Sequence, residues 1–126
     1  MKPVKEIKTD SGLIILVWRD RSDDSENIKK GEEAVIHYTG KLEDGTKFDS
    51  SYDRGQNNPF KFTVGEGRVI KGWEEAVLYM HPGSEITLII PPELGYGDRA
   101  VGSIPPNSVL IFDMKMVAVG YPHIED

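Results

Sequence analysis

Apolar and polar positions alternate along most of the chain, and the alternation predicts strands. Ala34, Ile36 and Tyr38 share one face of residues 33–39, and Phe60, Phe62 and Val64 alternate with Lys61 and Thr63. Ile86, Leu88 and Ile90 repeat the pattern. In residues 109–119, Leu110, Phe112, Met114 and Met116 form one face, which turns Asp113 and Lys115 outward on the other. Residues 13–18 are an unbroken apolar run rich in branched side chains, the mark of a buried strand. Helical spacing occurs once: Ile70, Trp73, Val77 and Met80 follow the three-and-four rhythm of one helical face. Gly65 and Gly67 lead into that segment, and His81, Pro82 and Gly83 stop it. Five strands with one helix cannot build alternating parallel units. The pattern predicts an α+β domain, a mainly antiparallel sheet of about five strands packed on one short α-helix.

Between these elements lie two long connections. Residues 19–30 are charged and polar and read as a loop. Residues 91–107 hold four prolines and three glycines, yet also Leu94, Tyr96, Val101 and Ile104. A disordered linker has little use for so many apolar groups, so this segment is expected to be an ordered flap. The divisions are an N-terminal extension over residues 1–12, one domain over 13–120 and a tail or linker over 121–126, the two ends being loose.

Composition narrows the function. A chain of 126 residues suits one domain and one site. A net charge of -6 without any run of Lys or Arg excludes a nucleic-acid groove. There is no cysteine, hence no disulfide framework, thiolate zinc site or cysteine nucleophile. The longest apolar run is residues 13–18, far short of a membrane span, and the first residues lack a signal-peptide core; a cytoplasmic chain, with the nucleus as the other compartment, is expected. His37, His81 and His123 have no metal-ligand spacing. Gly67 and Gly72 have the spacing of a phosphate loop, but Trp73 stands where its lysine belongs, and Ile70 breaks the dinucleotide pattern. Ser50 and Ser51 lack a nucleophile elbow. No cofactor is implied.

What remains is an inventory of apolar side chains, Tyr38, Phe48, Phe60, Val69, Ile70, Trp73, Tyr96, Ile104 and Phe112, with one carboxylate, Asp49, beside Phe48. Such a set suits an apolar cleft with a few placed polar groups. Taken singly, each aromatic is as well explained by core packing, Asp49 by a turn cap and Arg54 by a solvated cation. An enzyme, a binding module and a carrier of a small apolar ligand all stay open on the residues alone.

Longer motifs go further. Val35-Ile36-His37-Tyr38-Thr39-Gly40, Lys47-Phe48-Asp49-Ser50-Ser51, Pro59-Phe60-Lys61-Phe62, Val69-Ile70-Lys71-Gly72-Trp73-Glu74-Glu75, Gly95-Tyr96-Gly97, Ile104-Pro105-Pro106 and Leu110-Ile111-Phe112-Asp113 occur in order. Together they resemble the FKBP-type peptidyl-prolyl cis-trans isomerases, the immunophilins that bind tacrolimus and rapamycin, over about residues 13–120. The resemblance implies a strongly curved antiparallel sheet wrapping one helix, with a pocket between them. It implies Trp73 as the floor for a prolyl ring, with Tyr38, Phe60 and Phe112 as walls, and Phe48, Val69 and Ile104 as further lining. The Ile70 N–H and Tyr96 hydroxyl are implied donors to ligand carbonyls, and Asp49, held by Tyr38 and Arg54, a buried acceptor. Tyr38, Asp49, Trp73, Tyr96 and Phe112 are thereby the expected catalytic residues. The implied partners are proline-containing peptides and proteins, tacrolimus and rapamycin, a phosphatase through the drug complex, and a chaperone through a further C-terminal domain, with a role in protein folding. Three departures concern the rim: the insert at residues 55–58, the absence of a histidine in residues 98–101, and Ser103 where the best-known member has an aliphatic residue.

Overall fold

The computed structural model describes residues 2–19 and 26–120, and their strands form one antiparallel sheet. The seven strands are β1 (Lys5–Lys8), β2 (Ile14–Arg19), β3 (Glu33–Leu42), β4 (Lys47–Ser50), β5 (Phe60–Thr63), β6 (Glu85–Ile90) and β7 (Leu110–Gly120). Their order is β1-β2-β6-β7-β3-β4, with β5 also on β3. One edge of β3 pairs with β7 from Glu33 to Leu42. Its other edge is shared: β5 takes Glu33 to Ile36, and β4 takes Thr39 to Lys41. Register shifts at Val35/Ile36 and Gly40/Lys41 insert bulges into these ladders, and bulges bend a strand and sharpen its twist. Here they curve the sheet around the helix.

The alternating faces lie as the pattern predicts. Leu110, Phe112, Met114 and Met116 are buried, while Asp113 and Lys115 are exposed. Ala34, Ile36 and Tyr38 face the same core. Against it packs α1 (Lys71–Ala76), extended by one 3₁₀ turn over Val77–Tyr79, with Trp73, Ala76, Val77 and Met80 all buried. Met80 is already extended backbone (φ -115°, ψ 153°), and Gly83 turns the chain away with φ 95°. Among the described residues no helix is long and apolar enough to cross a membrane.

The sheet has two strands more than the five that alternation predicts. Residues 5–8, expected to be loose, form β1 on the edge of β2. An edge strand with one neighbour buries little, and only Ile7 of the four is partly covered, so no apolar rhythm marks it. In β4 the adjacent Phe48 and Asp49 are both half-buried, so no alternation marks it. The tail at residues 121–126 and residues 20–25 of the predicted 19–30 loop lie outside the described residues. The flap is ordered as expected: Val101 and Ile104 exchange backbone hydrogen bonds of 3.0 and 2.8 Å, and Gly97 and Asn107 tie its two limbs at 2.8 Å.

Gly40 shows how tightly the inner face is built. A Cβ on it would sit 2.6 Å from both Phe112 Cε1 and Phe48 Cζ, so the two rings close over this residue only because it lacks a side chain. Gly40→Ala is therefore expected to cost about 1–3 kcal/mol, the usual penalty of overpacking. Urea unfolding measures it. An unchanged midpoint would show that the rings give way freely.

Candidate functional site

The cleft is built by four segments meeting at Trp73. Strand alternation aims Tyr38 of β3 and Phe112 of β7 at the helix, β5 supplies Phe60, and the helix returns Trp73 into the space between them. Ring centroids lie 4.8 Å from Trp73 to Tyr38, 5.2 Å to Phe112 and 5.8 Å to Phe60, at interplanar angles of 75°, 85° and 78°. These edge-to-face arrangements match the opposed charge on ring edges and faces. Phe48 continues the wall, edge-on to Phe112 at 5.5 Å. The resulting cleft, about 190 Å³, is closed by Val69 and Ile70 at the entry to the helix and by Tyr96 of the flap.

Polar groups sit at two places. On one rim, Tyr38 donates its hydroxyl hydrogen to Asp49 Oδ2 at 2.5 Å, and Arg54 donates to the Tyr38 oxygen at 2.9 Å and to Asp49 Oδ1 at 3.2 Å. Partial burial pushes the Asp49 carboxyl up, but hydrogen bonds from Tyr38 and Arg54 and the guanidinium charge outweigh it and hold the group below its ordinary value. Burial, followed by the bond to anionic Asp49, raises the Tyr38 phenol. The rim is thus an ionised carboxylate and a neutral phenol compensated by Arg54. On the other side, the Ile70 N–H and the Tyr96 hydroxyl have no partner among the described residues. The Trp73 Nε1–H is buried and has no acceptor among the described residues.

The loop before the helix is fixed by one side chain. Glu74 accepts from the Gly65 amide at 2.8 Å and from the Gly67 amide at 2.7 Å, both glycines having positive φ (90° and 69°). Val69 and Ile70 are thereby held in place from the helix itself.

Most of the expected set converges, with four corrections. Asp49 is not buried: its side chain is 44% exposed and forms the rim. Ile104 lies in the core beneath the flap at 5% exposure rather than in the cleft lining, because its pairing with Val101 turns it inward. Ser103 is exposed on the flap and does not line the cleft. Arg54 acts through its bonds to Tyr38 and Asp49, without lining the cavity. Arg68 lines it and was not expected there; its place beside Val69 is the one signal in the sequence. The insert at residues 55–58 is anchored behind the sheet, where His37 Nε2 donates to the Gln56 carbonyl at 2.7 Å and stacks on Tyr52 at 4.3 Å. Chemically the site offers apolar walls, two unengaged donors and a compensated carboxylate. Among the described residues no group of three or more histidines, cysteines or carboxylates could hold a metal ion.

Comparison with known proteins agrees with this geometry. The family model described as FKBP-type peptidyl-prolyl cis-trans isomerase matches residues 24–117. The chain is 51% identical over 98 residues to the peptidyl-prolyl cis-trans isomerase Fkbp12 of Drosophila melanogaster, covering 77% of this chain and 89% of that one. It is 53% identical over 98 residues to FK506-binding protein 2 of Emericella nidulans, covering 76% and 71%. The crystal structure of AtFKBP13 superposes with a TM-score of 0.80 at 41% identity, covering 90% of this chain and 97% of that one. FkpA from Escherichia coli superposes with the same TM-score of 0.80 at 38% identity, covering 94% of this chain and 53% of that one. With its curved sheet, single short helix and aromatic cleft, the chain belongs to the FKBP-type peptidyl-prolyl cis-trans isomerase family.

Proposed function

We propose that this cleft accelerates rotation about X-Pro peptide bonds, with apolar residues favoured at X, and that it takes tacrolimus and rapamycin as inhibitors in the same place. The observation that carries the reading is the pairing of an aromatic floor with two unengaged donors, Ile70 N–H and Tyr96 O–H, and no acid–base or nucleophile pair beside them. Rotation breaks no bond. It needs only loss of amide resonance, against a barrier of about 18–20 kcal/mol.

In water the charge-separated planar amide is favoured, so transfer into an apolar cleft makes twisting easier. In this reading the prolyl ring lies on Trp73 between Tyr38, Phe60 and Phe112, and Val69 and Phe48 exclude water around it. Ile70 N–H and Tyr96 O–H donate to carbonyls placed as they are in the twisted amide, and so bind that state better than either planar isomer. Asp49, kept ionised by Tyr38 and Arg54, orients the polar side of the substrate without exchanging a proton. A barrier lowered by about 7 kcal/mol gives roughly 10⁵-fold acceleration, within reach of desolvation and two placed hydrogen bonds. The physiological use proposed for this activity is in protein folding, where X-Pro rotation is slow.

Magnetisation exchange between the cis and trans signals of a Leu-Pro peptide tests the activity: substoichiometric protein raises the exchange rate, and a rate equal to the uncatalysed one refutes it. Tyr96→Phe lowers kcat/KM about two- to tenfold, the worth of one hydrogen bond. The pH profile separates this mechanism from proton transfer. Because the Asp49 pKa is depressed and that of Tyr38 is raised, neither group titrates between about pH 5 and 9, and kcat/KM is flat there. A bell-shaped profile in that window contradicts the mechanism.

A further inference from the structure

Charge is sparse inside the cleft and unevenly compensated. Asp49 is matched by Arg54. Arg68, the other charged residue of the lining, meets only Glu66, at 3.8 Å and through Nε alone, and its side chain is 73% exposed. Its two terminal nitrogens have no partner among the described residues. The backbone beneath Arg68 is fixed, since Glu74 grips the amides of Gly65 and Gly67 immediately before it. A guanidinium projected from a fixed loop loses less freedom on pairing than one on a mobile loop. The groove that continues from Val69 and Ile70 past Tyr96 carries Lys71 and Arg99 against Glu74 and Glu93, a near balance. Arg68, touched by Glu66 only through Nε, therefore keeps both terminal nitrogens open at the mouth.

We propose that Arg68 is a specificity-determining residue, selecting proline peptides with an acidic side chain within two residues of the proline. The proposal deepens the isomerase reading and rests on it for the position of the peptide. A guanidinium fork pairs a carboxylate through two hydrogen bonds, and on a partly exposed rim such a pair changes affinity about two- to fivefold. The chain as a whole carries -6, so its long-range field disfavours an acidic peptide. Only a local contact reverses that.

The test uses neutral-capped peptides of one Leu-Pro sequence, bearing Glu or Lys either two residues before the proline or one after it. Exchange spectroscopy gives kcat/KM, and shift titration gives affinity, for the native chain and for Arg68→Glu. The Glu-to-Lys preference of the native chain exceeds one at one of the two positions and falls about fivefold in Arg68→Glu. It shrinks toward one as salt rises from about 0.05 to 0.5 M. Lys115→Glu changes net charge equally but lies on the outer face of β7, and leaves the preference unmoved. A preference that ignores Arg68→Glu, or shifts equally in Lys115→Glu, overturns the proposal while exchange of all peptides still supports the isomerase. Absent exchange with a charge-dependent affinity that follows Arg68 refutes the isomerase reading and leaves Arg68 as a selector of bound peptides.

Discussion

The rest of the structure depends on Trp73 packing edge-to-face into the aromatic rings of the sheet. A helix of six residues cannot persist by itself, because nucleation costs more than so few turns return. Burying an aromatic of this size removes about 150–250 Å² from water, worth about 4–6 kcal/mol at the usual coefficient. That contact holds α1 against β3, β5 and β7, and the bulges at Val35/Ile36 and Gly40/Lys41 bend the sheet enough to receive it. The same contact leaves the cleft: what the rings of Tyr38, Phe60 and Phe112 do not fill beside Trp73 is the cavity itself.

Placing core and site in one cluster has a chemical consequence. The walls are rigid because they are also core, with Trp73 and Phe112 at 5% and 3% exposure. The charged groups are confined to the rim, where Arg54 and Tyr38 satisfy Asp49. A cleft that is aromatic at its floor and fixed at its edges suits a reaction that needs desolvation and shape. It is poorly suited to one that moves protons. The buried Trp73 N–H, with no acceptor among the described residues, departs from the rule that interior donors are satisfied.

Sequence pattern reached the parts of the fold where burial is one-sided and long. The faces of β3 and β7 and the Trp73, Val77, Met80 stripe could be read because each carries its period over seven or more residues. The edge strand β1 and the four-residue β4 could not, since neither buries enough to impose one. Most of the cleft residues were legible as an ordered motif set, but their depth was not. Asp49, expected buried, lies at the rim bonded to Arg54, and Ile104, expected in the lining, lies in the core beneath the flap paired with Val101. Arg68 carries no motif: its place in the lining follows from the turn that Glu74 imposes through Gly65 and Gly67. Gly40 is similar, its role set by two rings, Phe48 before the helix and Phe112 near the end of the chain, that meet over it only in the folded state.

The most direct test of this double duty is to measure unfolding free energy and Leu-Pro peptide affinity together in Trp73→Ala and Trp73→Leu. If Trp73 is both the keystone of the helix contact and the floor of the cleft, Trp73→Ala costs about 3–5 kcal/mol of stability. Trp73→Leu, which keeps most of the helix contact, then costs clearly less yet weakens peptide binding. Equal losses of stability in the two variants, with affinity intact in Trp73→Leu, would contradict the account and leave Trp73 a core residue alone.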